Sequence, residues 1–172
     1  MILTVGHSTH PIEEFLELLA AHGIEQLIDV RTIPKSRRVP QYNTEALAES
    51  LQAAHIRYRH MPGLGGLRHP RKDSINSAWR NDSFRGYADY MQTPPFEASL
   101  RELIDASKLH RTVIMCAEAV PWRCHRSLIG DALLAHGIEV ADIMTTKPAK
   151  PHTLTSFARV DGQKVTYPGL LP

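Results

Sequence analysis

The sequence is poor in cysteine, with two among its 172 residues. So few cysteines exclude a small secreted fold held together by several disulfides, and they favour the reducing environment of the cytoplasm. The sequence also lacks any apolar run near the roughly 20 residues that a membrane-spanning helix requires. Its first residues, MILTVGHS, have neither the basic region nor the long apolar stretch of a secretory signal. We therefore expect a cytoplasmic protein with no membrane partner.

Neither sign of charge is in large excess, because the net charge is only +2, yet the cations are concentrated in one part of the chain. Residues 29–80 contain 10 Lys and Arg but 4 Asp and Glu, whereas the remaining residues contain 10 and 14. A basic segment of this kind attracts phosphate groups, nucleotides or nucleic acid. The alternative is a solvated surface whose charges bind nothing specific. The content of 42% hydrophobic and 22% charged residues is typical of a globular protein.

Short apolar runs that predict strands alternate with helical patterns along the chain. This alternation predicts a single three-layer α/β domain over residues 1–172, with a mainly parallel five-stranded sheet and helices on both faces. Right-handed crossovers favour the strand order 3-2-1-4-5. Two extended runs around Asp161-Gly162 predict a C-terminal hairpin at about residues 152–168. Residues 62–82 show no sustained period and are expected to form a long loop.

Polar residues and glycines follow four of the predicted strands, where this fold places its ligands. In open α/β sheets the ligand lies beyond the carboxyl ends of the strands, at the point where the crossovers change direction. That point is predicted between the first and fourth strands. The residues expected there are, in chain order, His7, Ser8, Asp29, Arg31, Gly65, Gly66, Cys116 and Glu118.

Both cysteines lie in CAEAVPWRCHR, residues 116–126. Pro121 predicts the start of the next helix, which would place Arg123, Cys124, His125 and Arg126 in its first turns. The field of a helix start, together with neighbouring Arg and His, lowers the pKa of a thiol. Cys124 is therefore the first candidate for a thiolate nucleophile or redox thiol. Cys116 is the second candidate, since it continues an apolar strand, and a packing role in the core is the alternative for both.

The other candidates would move protons or hold a ligand. His7, Glu118 and His125 are the expected proton-transfer groups. The sequence leaves three roles open for Asp29. It would orient an arginine or histidine, act as a base, or form a structural ion pair with Arg31. A phosphate-bearing ligand would be held by charge-assisted hydrogen bonds and by close approach of the backbone. The candidate ligand-binding residues are Ser8, Asp29, Arg31, Ser36, Arg37, Gly65, Gly66, Arg123 and Arg126.

A bound metal ion is an alternative that the residue types allow. His7, Cys116, Glu118 and Cys124 are capable ligands. The spacing C-x7-C-H matches no zinc signature, however, and Cys124 and His125 would point about 100° apart on a helix. The sequence therefore leaves the cofactor undefined.

Four motifs together resemble the bacterial family of domains of unknown function numbered 488. They are TVGHS at 4–8, DVRTIPKSRR at 29–38, GLGG at 63–66 and CAEAVPWRCHR at 116–126. The resemblance spans about residues 1 to 145, and the last motif is its most specific part. It implies an intracellular α/β domain with a loose link to DNA repair, and it implies no established reaction.

Three hypotheses of function follow from these residues. The leading one is an intracellular enzyme of open reaction class, with a Cys, His, Arg and Glu pocket that binds a phosphate-bearing ligand, either a nucleotide or nucleic acid. The second is a non-catalytic nucleic-acid-binding module that uses the basic segment. The third is a metal or thiol redox sensor in which the two cysteines pair reversibly. The oligomeric state stays open.

Overall fold

Strands and helices alternate along residues 1–169, which are the residues that the computed structural model describes; residues 170–172 of the predicted domain lie outside this part. The strands are β1 (Ile2–Gly6), β2 (Gln26–Asp29), β3 (Arg57–His60), β4 (Thr112–Cys116), β5 (Val140–Asp142), β6 (Lys150–Pro151), β7 (Arg159–Asp161) and β8 (Lys164–Thr166). The helices are α1 (Ile12–Ala21), α2 (Thr44–Ala53), α3 (Asp82–Met91), α4 (Pro94–Ser107) and α5 (Arg126–Ala135).

The strand order of the main sheet is β3-β2-β4-β1-β5-β6, and only β5 and β6 are antiparallel. The predicted fold class, a mainly parallel α/β sheet with a C-terminal hairpin, is confirmed. The predicted order 3-2-1-4-5 is wrong, because β4 lies between β1 and β2. Right-handedness fixes the face on which each crossover runs, and it leaves open whether the crossover passes one strand or two. The sequence pattern also misses β6, since two residues carry no periodicity.

The sheet separates two apolar layers, as alternation of side chains along its strands requires. In β4, Val113 and Met115 join the layer beneath α1 and α2. Ile114 and Cys116 join the opposite layer, beneath α3, α4 and α5. The position of Cys116 in β4 therefore directs its side chain toward α5, the helix that follows residues 116–126.

The crossovers change direction between β1 and β4, as predicted. The chain leaves β1 toward α1 on one face and leaves β4 toward α5 on the other. The corrected order places the end of β4 in the middle of the sheet edge. There the amide of His7 donates to the carbonyl of Cys116 at 3.0 Å, and the amide of Val30 donates to the carbonyl of Met115 at 3.0 Å. The loop after β4 therefore lies between the loops that follow β1 and β2.

The C-terminal part of the chain is attached to α5 through one buried carboxylate. The predicted hairpin is present, with its turn at Gly162-Gln163, one residue beyond Asp161-Gly162, and its strands span 159–166 of the predicted 152–168. Beyond it, the hydroxyl of Tyr167 donates to Asp131 Oδ2 at 2.7 Å, and His152 Nε2 lies 2.9 Å from Asp131 Oδ1. Because Asp131 has no exposed surface, these hydrogen bonds are protected from water and fix the segment against the domain.

The loop at 62–82 is irregular apart from a short 3₁₀ turn at Pro62–Leu64. It is fastened to α3 by Asp89, which accepts hydrogen bonds from the backbone amide of Arg71, the Ser74 hydroxyl and the Asn76 side chain at 2.6–2.8 Å. Asn76 is fully buried. The second half of the loop is therefore an ordered part of the fold.

The ion pair of His152 predicts a pH-dependent stability. Burial alone lowers the pKa of His152, but Asp131 and Asp142 outweigh it and raise the pKa from 6.5 to about 9. A raised pKa stabilises the fold fully below the unfolded value and loses this contribution as the pH rises through the folded value. We expect His152→Gln to cost at most about 3 kcal/mol near pH 6 and much less near pH 10.

Chemical denaturation of both proteins at several pH values measures this difference. His69→Gln, at an exposed histidine of the long loop, is the control and should show no such trend. Comparison with the wild type cancels the opposite pH dependence of other groups. A cost for His152→Gln that is the same at both ends of the range would contradict the ion-pair assignment.

Candidate functional site

The two cysteine sulfurs are in contact at the end of β4. The Sγ atoms of Cys116 and Cys124 are 2.7 Å apart, and the thiol of Cys124 donates to Cys116. Both cysteines are free and almost completely buried. Cys116 is the last residue of β4, and Cys124 lies two residues before α5. The fold therefore brings together the two residues that the sequence analysis placed at the centre of the site.

The backbone between the cysteines differs from the prediction. Pro121 opens only a 3₁₀ turn at Pro121–Arg123, and α5 begins at Arg126. Cys124 has extended backbone angles, with φ −137° and ψ 148°. Of the four residues predicted in the first helical turns, Arg123, Cys124 and the N-cap His125 therefore precede the helix, and only Arg126 lies in it. The extended backbone of Cys124 directs its sulfur back toward Cys116 at the end of β4.

Arg126 is a fully buried cation beside the sulfurs. Its Nη1 donates to Cys116 Sγ at 3.0 Å and to the Glu118 carbonyl at 2.6 Å, and its Nη2 donates to the Ala119 carbonyl at 3.0 Å. Within residues 1–169, Arg126 forms no ion pair with a carboxylate, and its Nε has no acceptor. A buried charge without a counter-charge is costly. A thiolate on Cys116, 3.0 Å from Nη1, would supply such a counter-charge.

Gly6 allows the loop to approach β1. A Cβ atom at this position would lie only 1.7 Å from the Glu118 carbonyl oxygen and 2.6 Å from Arg126 Nη1. No side chain fits into this space. The glycine of the TVGHS motif is therefore explained by packing against the groups that hydrogen-bond Arg126, and the sequence analysis did not select it as a site residue.

The hydrogen bond between the sulfurs and the charge of Arg126 shift the pKa values of the two thiols in opposite directions. Burial raises the pKa of Cys116, but the thiol of Cys124 and the Arg126 guanidinium outweigh it and lower the pKa from 9.0 to about 7. The pKa of Cys124 is raised far above its ordinary value, first by its hydrogen bond to Cys116 and then by burial. These shifts in pKa favour the thiolate on Cys116 over a thiolate on Cys124.

His125 borders the thiol pair as a neutral imidazole. Burial lowers its pKa to about 4. Its Nε2 lies 2.9 Å from the Val30 carbonyl and must donate to it, which leaves Nδ1 as an acceptor 3.5 Å from Cys124 Sγ. A Cβ at Gly66 would lie 3.2 Å from this Nδ1. Gly66 therefore lets the loop after β3 pack closely on the histidine.

His7 belongs to a second group of buried side chains at the same edge. Its ring stacks on Tyr42 with centroids 4.1 Å apart and an angle of 15° between the planes. Nδ1 lies 2.8 Å from the Ser8 carbonyl, and Nε2 lies 3.3 Å from Arg31 Nη1. Burial lowers the pKa of His7 to about 4. A neutral imidazole that donates to Ser8 and accepts from Arg31 uses both nitrogens within the fold.

Asp29 and Arg31 form an ion pair that is largely shielded from solvent. Arg31 Nε and Nη2 donate to the two oxygens of Asp29 at 2.9 Å and 2.7 Å, and Nη2 also donates to the Tyr42 carbonyl at 2.7 Å. The hydroxyl of Tyr58 donates to Asp29 at 2.7 Å. Each guanidinium nitrogen of Arg31 therefore has a partner inside the protein. This geometry favours the structural ion pair among the alternatives that the sequence left open.

The remaining predicted residues do not converge on the sulfurs. The Glu118 side chain is exposed, and only its carbonyl reaches the site. The Ser36 hydroxyl accepts from the amides of Arg38 and Val39 in its own loop. Arg37 and Arg123 are exposed, and Ser8 contributes its carbonyl to His7. A Cβ at Gly65 would lie 2.5 Å from Thr32 Oγ1, so this glycine serves loop packing.

Sequence reasoning also missed two tyrosines that complete the Asp29 group. Tyr58 lies on the edge strand β3 and reaches Asp29 across the pair with β2. Tyr42 precedes α2 and covers His7. The alternation of Arg57 to His60 would have placed Tyr58 and His60 on one face of β3. No local pattern marks Tyr42, because its contact depends on how the loop after β2 folds back.

The described part of the chain forms no metal site. Among residues 1–169, no three His, Cys, Asp or Glu side chains are placed to hold a metal ion. The candidate ligands His7 and Glu118 do not join the cysteine pair. The same residues include no helix that is long and apolar enough to cross a membrane.

Comparison with known proteins places the chain in one family. A profile described as "Domain of unknown function DUF488" matches residues 11–133, which is most of the chain. The chain belongs to this family, as the sequence motifs suggested. Neither the curated proteins nor the solved structures contain a match to it. The match covers Cys116, Cys124 and Arg126, and it assigns them no role.

The difference in pKa between Cys116 and Cys124 predicts a titration that the ultraviolet absorbance of the thiolate can follow. We expect one step centred near pH 7, which is lost in Cys116→Ser because the thiolate is on this residue. In Cys124→Ala the step moves to higher pH, since the hydrogen bond that stabilises the thiolate is removed. A step near pH 7 that survives in Cys116→Ser would assign the thiolate to Cys124 instead.

Proposed function

We propose that this protein is a thiol redox protein in which Cys116 and Cys124 change reversibly between a dithiol and an intramolecular disulfide. The observation that carries the proposal is the contact of the two Sγ atoms at 2.7 Å. Sulfurs already in contact need only a small movement to form a disulfide bond of about 2.05 Å. Nearby, the Arg126 guanidinium supplies the charge that keeps one sulfur reactive.

A packing role alone does not explain this arrangement. Buried cysteines that only fill space sit among apolar groups and remain protonated. Here Cys116 faces a fully buried arginine, and that arginine contacts no carboxylate within residues 1–169. An alanine or valine at position 116 would fill similar space and leave the cation without an anionic partner. The combination of two sulfurs and a buried cation is the arrangement that thiolate chemistry needs.

The expected phosphate site has less support at the buried arginines. Four of the five N–H donors of Arg31 are engaged by Asp29, Tyr42 and His7. Three of the five donors of Arg126 are engaged by Cys116 and two carbonyls. A phosphate would have to displace these partners, at the free-energy cost of leaving buried groups unpaired. The buried edge of the sheet therefore favours sulfur chemistry over anion binding.

Mild oxidation tests the proposal directly. Treatment of the reduced protein with diamide should produce a loss of two hydrogens in the intact mass, and dithiothreitol should reverse it. Peptide mapping should locate the new bond between Cys116 and Cys124. Cys116→Ser and Cys124→Ser should show no such loss, because each variant keeps only one of the two sulfurs.

Two results would contradict the proposed redox function. One is a wild-type protein that stays fully reduced while its fold persists under diamide. The other is a disulfide that joins two molecules and leaves the intramolecular pair untouched.

A second candidate function is binding of nucleic acid on the loop after β2. Lys35, Arg37 and Arg38 are exposed within four residues of chain. None of them forms an ion pair within residues 1–169. Free, clustered cations of this kind attract a polyanion through release of its counterions. This observation supports the basic segment as a binding surface independently of the thiol pair.

Replacement of Lys35, Arg37 and Arg38 together by Gln should weaken binding of a fluorescent single-stranded oligonucleotide. The slope of log K against log salt should fall by about 2, because each phosphate contact contributes about 0.7. Replacement of Arg101, Lys147 and Lys164, which are exposed elsewhere, is the charge-matched control. Equal weakening in the two triple variants would show a general charge effect and would remove this surface from consideration.

A further inference from the structure

A cleft opens at the carboxyl ends of β4 and β5, on the loop that joins the two cysteines. Its volume is about 420 Å³, which lies within the range of roughly 300–1,000 Å³ for small-molecule sites. Pro121 and Trp122 come from the loop after β4, Ser127 from the first turn of α5, and Asp142 and Met144 from the end of β5. Ligands of open α/β sheets bind beyond these ends of the strands.

A larger cleft, of about 560 Å³, extends toward the amino ends of the strands. Its lining includes Met1, Arg111 and Glu139, which immediately precede β1, β4 and β5. The rule for open α/β sheets therefore favours the smaller cleft as the binding site.

Both tryptophans of the chain line the smaller cleft. Trp79 is held in place by Phe84, Phe157 and Tyr167, whose ring centroids lie 4.9, 4.8 and 5.5 Å from its own. Trp122, in contrast, is 66% exposed. Indole rings pack favourably against other flat rings, because offset and edge contacts add to the free energy of burial. The lining therefore suits a ligand that contains an aromatic ring.

The cleft also contains a cation without a counter-charge. The pairing of β5 with β6 places Lys150 opposite Asp142, so the two side chains lie on one face of the sheet. The oxygens of Asp142 are already engaged, one by the Thr4 hydroxyl and one by His152 at 3.7 Å. His152 is balanced by Asp131 and Asp142 together. Lys150 forms no ion pair within residues 1–169, and it is therefore available to an anionic ligand.

We propose that this cleft binds a small anion that carries an aromatic ring, with the ring against Trp122 and the anionic group at Lys150. Two observations carry the proposal: both tryptophans line one cleft, and the unpaired lysine faces a carboxylate that other groups already neutralise. The inference goes beyond the proposed redox function and does not depend on it, because neither cysteine lines the cleft. A nucleotide and an aromatic carboxylate share this chemistry.

Nuclear magnetic resonance of the full, ¹⁵N-labelled chain tests the proposal. The two indole N–H signals are assigned with Trp122→Phe and followed while adenosine monophosphate or 2-naphthoate is added. We expect at least one probe to shift both indole signals along a single saturating curve, with a Kd of about 1 mM or tighter. The neutral analogues, adenosine and 2-naphthylmethanol, should bind about twofold to fivefold more weakly at low salt, because they lack the charge that pairs with Lys150.

The two probes distinguish the sources of the ligand. Binding of adenosine monophosphate alone would support a nucleotide, and binding of 2-naphthoate alone would support an aromatic carboxylate. Absence of an indole shift with both probes, up to about 10 mM, would overturn the proposal. Equal affinity for the anions and their neutral analogues would overturn the anionic class of the ligand. Each of these results leaves the oxidation of the cysteines, and hence the redox function, to be decided separately.

Variants at exposed positions assign the two contacts. Trp122→Ala should weaken binding about fivefold or more, because it removes stacking, and the Trp79 signal still reports the titration. Lys150→Gln should weaken binding about twofold to fivefold at low salt. Lys147→Gln, at an exposed lysine three residues earlier and outside the lining, is the control and should not change it. Equal weakening by the two lysine variants, or full affinity in Trp122→Ala, would overturn the proposed contacts.

Discussion

The buried guanidinium of Arg126 is the constraint on which the candidate site depends. It has no exposed surface and no carboxylate partner within residues 1–169, so its charge must be met by the loop around it. The carbonyls of Glu118 and Ala119 turn inward to accept its hydrogen bonds, and Cys116 Sγ accepts another. That inward turn requires glycine at position 6, where a Cβ would occupy the space of the Glu118 carbonyl. One cation thus sets the loop conformation, the residue at the end of β1 and the ionisation of a thiol.

The position of the candidate residues at one edge of the sheet follows from the sequence because it depends on few assumptions. Parallel strands end at one edge, and the polar residues after β1, β2 and β4 had to meet there. The exchange of β1 and β4 in the strand order left this conclusion intact, since these two strands are neighbours in both orders. The error lay in the length of a crossover, which handedness does not determine. A prediction that depends on adjacency therefore survived, whereas one that depends on the full order did not.

The roles of the residues were harder to predict, because each depends on side-chain partners distant in sequence. Cys124 was the first candidate for the thiolate on the assumption that Pro121 opens a helix around it. In the structure Cys124 is extended and donates its proton, and Cys116 receives the charge of Arg126. Arg31 was expected to hold a ligand, yet Asp29, two residues earlier on the same strand face, pairs with it. Spacing along a strand places such residues on one face, and it does not show whether their hydrogen-bonding capacity is already used.

The same cation also fixes which redox form of the proposed site is favoured. In the reduced protein the contact with Arg126 stabilises a thiolate on Cys116 and, with it, the charge of the arginine. Disulfide formation removes the negative charge and leaves Arg126 with neutral acceptors in a buried position, which is unfavourable. A redox pair whose reduced form is stabilised in this way has a raised reduction potential, so its disulfide is reduced easily by cellular thiols. The buried arginine therefore favours a dithiol that is reset after each oxidation, as a thiol redox protein requires, over a disulfide that stabilises the fold permanently.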